Sequence, residues 1–192
     1  MRGLWSAPGP RRAAPKPVTL SGWGITADVP GDWEGRLFNR PTPTADFTGP
    51  SISSQQQRSG PDAEAGSFGW KGERTAPVLH LANFALGNQR GDFGSGVVDT
   101  MGPQHAFISL LEYGSDLAAT PLFSPRGIPR PRRQEFSPDC LQRRLPGQLG
   151  YQRFFSVGSR ALCLFVVLGS AGQAGALIED VNAALDGVEV QP

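Results

Sequence analysis

The residues suited to catalysis or metal binding are few and scattered. The 192-residue chain has two histidines, His80 and His105, and two cysteines, Cys140 and Cys163. With Asp99 or Glu112 the histidines would make a three-ligand metal set. No H-x-H, H-E-x-x-H or C-x-x-C spacing brings such ligands together, so no metal is expected. His80 reads as a strand histidine with a backbone partner, and His105 as a surface residue. The run Gly169-Ser170-Ala171-Gly172-Gln173-Ala174-Gly175 has neither the dinucleotide nor the P-loop spacing. Too little chain follows it for a second strand–helix unit with a ribose-binding acid, so no cofactor is expected. A nucleophile elbow needs G-x-S-x-G, but Leu168 holds the first glycine position before Ser170, and Gly94-Ser95-Gly96 falls in a loop. Nothing in the sequence sets a histidine beside Cys140. No catalytic residue is assigned. Cys140 and Cys163 leave two readings open, a disulfide or two inert thiols, because a bridge needs Cα atoms within ~7 Å and spacing does not show that.

Charge is the stronger signal. Residues 121–160 hold eight arginines (126, 130, 132, 133, 143, 144, 153 and 160) against only Glu135 and Asp139, within a chain of net charge +1. Guanidinium groups grip carboxylates and phosphates bidentately. Arg126, Arg130, Arg132 and Arg133 are interleaved with Pro125, Pro129 and Pro131, which remove backbone donors and forbid a regular helix or an interior strand. The segment must run over the surface, and these four arginines are the candidate binding residues, facing a protein partner or an acidic surface. The plainer alternative is a solvated loop in an arginine-biased, GC-rich bacterial coding sequence, since lysine occurs only as Lys16 and Lys71. No aromatic residues interleave Arg126–Arg133, so nucleic acid is not expected.

The scaffold that must hold these residues is readable in outline. Gly and Pro number 25 and 18, which excludes a helical bundle and predicts short strands joined by punctuated loops. No uninterrupted apolar run reaches the ~18 residues of a transmembrane helix. Residues 1–20 carry four prolines and no signal-type apolar stretch. They read as a disordered arm or an interdomain linker, with a cytoplasmic location as the default and an extracytoplasmic one as the alternative. Residues 21–192 read as one domain with long loops at 40–77 and 114–149. Trp23, Ile25 and Ala27 alternate ahead of a Pro30-Gly31-Asp32 turn, and Leu37 and Phe38 follow it. Val78–Leu86 and Ala106–Tyr113 are strand-like. Tyr151–Val157 and Arg160–Leu168 flank Gly158-Ser159, the signature of a two-residue hairpin turn with Gly at its first position. Ala161–Leu168 has no polar residue, so it should be an interior strand covered on both faces. Leu177, Val181 and Leu185, widened by Ala174, Ile178 and Ala184, predict a C-terminal helix with Ser170 at its start. Gly187 is expected to end it in a left-handed cap. The class is α+β, an antiparallel sheet with a C-terminal covering helix.

The succession GWGITADVPGDW, VLHLANFAL, FGSGVVDTMGP with FISLLEY, LPGQLGYQRFF and SRALCLFVVLGS resembles an uncharacterised family of bacterial proteins that is itself similar to the PsbP-like fold. That resemblance implies an α/β/α sandwich in which the Pro30-Gly31-Asp32-Trp33 turn leads into the second strand. PsbP-like proteins share partner binding rather than a reaction, and no motif here transfers their metal or partner residues. The expected function is a non-enzymatic binding module. The alternative is a small hydrolase or ligand-binding enzyme with its pocket under the 40–77 loop.

Overall fold

The computed structural model describes residues 18–39, 76–88, 91–94, 96–141, 143 and 145–192. Expectations about the 1–17 arm, most of the 40–77 loop and Ser95 lie outside the described residues. Strand β1 (Val18–Gly22) begins inside the stretch read as arm and pairs with β2 (Ile25–Val29). The turn between them places Trp23 at φ +47 and Gly24 at φ +71, the two positive angles of a type I′ hairpin. After Val29 the chain turns, with Trp33 N–H bonded to the Pro30 carbonyl at 2.9 Å, and enters a second sheet as β3 (Glu34–Asn39). The two strands read from the sequence on either side of Pro30 therefore belong to different sheets.

The larger sheet is antiparallel throughout, in the order β3-β4-β5-β7-β6, with β4 at Pro77–Ala82, β5 at Ala106–Tyr113, β6 at Leu149–Val157 and β7 at Arg160–Leu168. Gly158 opens the β6–β7 turn at φ +58, the angle glycine adopts without steric cost. Strand β7 lies between β5 and β6, and Ala161–Leu168 is buried along its whole length, as an apolar run without alternation requires. Helix α1 (Ala174–Asp186) buries the predicted stripe of Ala174, Leu177, Ile178, Val181, Ala184 and Leu185. The three-residue strand β8 (Val188–Val190) then completes the smaller sheet, ordered β1-β2-β8. The described residues form an α+β architecture of two antiparallel sheets and one C-terminal helix.

Alternation along the strands divides the core in two. On one face Leu79, Leu81, Ile108, Leu110, Leu164 and Val166 pack with the α1 stripe and with Ile25, Ala27 and Val29 of the smaller sheet. On the other, Val78, Phe107, Leu111, Cys163, Phe165 and Val167 are covered by loop residues, chiefly Leu86, Val97 and Leu141. Among the described residues no second α-helix covers that face.

Two helix-end expectations need correction. Ser170 Oγ accepts from Gly172 N–H at 3.2 Å, so it caps a short 3-10 turn (Ala171–Gln173) that leads into α1. Gly187 has φ −83 and is no left-handed cap. Its small size answers a close approach, because a Cβ there would sit 2.6 Å from the Asp28 carbonyl oxygen of β2. Among the described residues no helix is long and apolar enough to cross a membrane.

Candidate functional site

The arginine-rich segment is a strap laid over the sheet edge and the helix. Its first part docks on β6: Ser156 N–H donates to the Pro125 carbonyl at 2.8 Å, and Gly127 N–H to the Ser156 carbonyl at 2.9 Å. Its end docks on the same strand, with reciprocal bonds between Ser137 and Gly150 at 2.9 and 3.0 Å. These bonds occupy backbone groups of an edge strand that would otherwise invite foreign pairing. Between the anchors, Ile128 packs against the core, Pro131 is buried, and Asn182 Nδ2 of α1 donates to the Pro131 carbonyl at 3.2 Å. Arg130 forms a 2.8 Å ion pair with Asp186 at the C-terminal end of α1. Arg133 Nη2 donates to the Ala171 carbonyl, just ahead of the helix, at 3.3 Å. The strap thus follows α1 from one end to the other.

Folding changes the meaning of the charge count. Arg130, Arg143 and Arg160 pair with Asp186, Asp99 and Glu112 from outside the segment, and Arg153 with Glu135 within it, so half of the excess positive charge along the chain is neutralised in space. Of the four candidate arginines, all are exposed, but Arg130 is tied to Asp186 and Arg133 to a carbonyl. Arg126 and Arg132 have no ion pair among the described residues. They are the guanidinium groups most open to a partner.

Arg160 has a different task. Its Nε and Nη2 donate to the two carboxylate oxygens of Glu112, its Nη1 to the carbonyls of Gly24 and Gln191, and its Nη2 also to the Trp23 carbonyl. The guanidinium has five N–H groups, and these five contacts engage them. Their partners lie on β5 of the larger sheet, on the β1–β2 turn and just after β8, so one side chain fastens the two sheets together. The shallow hollow above it, rimmed by Trp23, Pro77, Ser159 and Pro192, has a saturated floor.

The histidines are placed apart. His80 lies on β4, nearly inaccessible, with Nε2 3.4 Å from the Asp92 carbonyl and its ring edge-on to Phe38 and Phe107. Burial pushes its pKa down to about 4; the hydrogen bond to Asp92 opposes the shift, and the charge of Arg36 adds to it. Ser109, its cross-strand neighbour, donates to the same Asp92 carbonyl at 2.6 Å and is fully buried. Together they pin a loop. His105 is half-buried rather than a surface residue: its ring stacks on Phe84 at 4.6 Å and Nδ1 accepts from Gly102 N–H at 2.9 Å. With Asp99 on Arg143 and Glu112 on Arg160, the four groups considered as metal ligands are held in separate contacts. Among the described residues no three His, Cys, Asp or Glu side chains converge. Cys140 and Cys163 are not joined to one another by a disulfide. Cys163 is fully buried on β7, with Gln152 Nε2 3.7 Å from its sulfur, and Cys140 sits on the 3-10 turn Pro138–Cys140.

One cavity escaped the sequence reading. It opens between the loop around Phe93–Asp99 and the segment around Leu141–Gln148, with Phe165 and Val167 of β7 forming its floor. Nothing local in the sequence marks it, because its floor and walls come from separate stretches of chain.

No protein-family model, curated protein or solved structure matches this chain.

Proposed function

We propose that this chain is a binding module that presents the strap arginines, chiefly Arg126 and Arg132, to an acidic protein partner. The observation that carries the reading is the combination of exposed guanidinium groups with a backbone fixed at both ends on β6. A fixed backbone lowers the ordering cost that a free loop would meet on binding. Arginine in an extended, proline-held segment also suits planar carboxylates better than lysine would. The resemblance to PsbP-like proteins, whose common property is partner binding, leans the same way. The hydrolase or ligand-binding alternative sets its pocket under the 40–77 loop, most of which lies outside the described residues.

The test is fluorescence anisotropy with a labelled oligoglutamate peptide against the full chain. Binding should appear at low salt and weaken steeply toward physiological ionic strength, where exposed charges are screened over ~8 Å. An oligolysine control should not bind. Absence of binding to the acidic peptide at low salt would remove the proposal.

A further inference from the structure

We infer that the cavity on the second face of the larger sheet is a binding site for a small, uncharged ring compound. Its volume is about 180 Å³. That is room for one aromatic ring, since a ~150 Å³ apolar cavity accepts benzene. The lining is mainly apolar: Phe93, Val98, Leu141, Phe165 and Val167. Phe93 and Phe165 meet edge to face with ring centroids 5.1 Å apart, which leaves ring surface to receive a further aromatic edge.

Among the described residues, the polar side chains that line the cavity bond to its walls or to one another. Gln148 is almost wholly buried, and its Nε2 donates to the Val98 carbonyl at 2.8 Å, tying the two walls together. At the rim Arg143 Nη1 and Asp99 Oδ2 form a 2.7 Å ion pair. A charged ligand would meet a rim whose charges are balanced, whereas an uncharged ring requires nothing of it.

The loop also explains why the space is not filled from within. Gly96 lines the cavity at φ +79, a backbone angle that L side chains rarely adopt, so a bulky residue there would strain the turn. Gly94, at φ +68, lies against Phe107, and a Cβ on it would sit 2.5 Å from that ring. The glycines that let the loop close over the sheet thereby leave an opening in its wall. This site is separate from the arginine strap and does not depend on the partner proposal.

The experiment is a titration of the full chain with benzene, followed by methyl NMR shifts. Saturable shifts are expected at Val98, Leu141 and Val167, with none at Leu177 and Val181 across the sheet. Val98→Phe should fill the space and abolish the shifts at Leu141 and Val167, while unchanged Leu177 and Val181 signals report a retained fold. Leu141→Phe provides a second filled variant, and if neither folds the wild-type titration decides. Arg126→Gln should bind benzene as the wild type does. Absence of saturable shifts, equal shifts on both faces, or shifts that persist in both filled variants would overturn the inference.

Discussion

Arg160 of β7 and Glu112 of β5 form a mostly buried ion pair in which the guanidinium also reaches the carbonyls of Trp23, Gly24 and Gln191. The pair is local to the larger sheet, but its remaining hydrogen bonds hold the smaller one. Removing Arg160 takes a two-point partner from a mostly buried carboxylate and three hydrogen bonds from the smaller sheet, at a cost of roughly 3–5 kcal/mol. Arg160→Gln should therefore lower the urea midpoint strongly, and Arg160→Lys should recover only part of the loss, because a lysine has three donors instead of five. Equal stability of the wild type and the glutamine variant would show that the clasp holds nothing.

Acidification should act through His80. Its folded pKa of about 4 lies below the unfolded value of ~6.5, so the unfolded chain takes up the proton first. The associated stability is complete above pH 6.5 and is lost as pH falls toward 4, by about 3 kcal/mol in all. His80→Gln keeps a donor for the Asp92 carbonyl and removes the titration. Stability measured from pH 7 to 4 should fall less steeply in that variant; parallel curves would contradict the assignment.

Leu164 is fully buried in the core shared with α1. Leu164→Asp would bury an unpaired carboxylate, and a loss of about 4 kcal/mol or more is expected. Thermal unfolding of this variant at the wild-type temperature would be incompatible with an interior β7.

Trp23 is about half exposed and holds φ +47, where asparagine or glycine is the usual occupant. Trp23→Asn should relieve backbone strain of about 1 kcal/mol and raise the melting temperature by roughly 2–4 °C. The carbonyl that accepts from Arg160 belongs to the backbone and survives the change. A lower melting temperature would mean that the indole packing outweighs the strain.

Local patterns in the sequence were enough to find the β6–β7 hairpin, the burial of Ala161–Leu168 and the stripe of α1. Each depends on neighbours within one or two turns of chain. The course of the strap was not legible, because it is set by contacts such as Asn182 with Pro131, 51 positions apart, and Arg130 with Asp186. For the same reason the charge excess of residues 121–160 looked like a patch, when distant carboxylates neutralise much of it. Gly187 was misread because an approach to Asp28 from another strand leaves no trace in helix periodicity. The cavity needed the fold itself, since its floor and its two walls come from three separate stretches of chain.

The central claim is that Arg126 and Arg132 carry the binding of an acidic partner, and its most direct test is charge reversal. The affinity of Arg126→Glu/Arg132→Glu for the oligoglutamate peptide should be compared with that of the wild type at low salt. Both side chains are exposed, so thermal stability should change little, as surface substitutions usually stay within ~0.5 kcal/mol each. The account predicts at least a tenfold loss of affinity with the fold intact. An unchanged affinity in a folded double variant would contradict it.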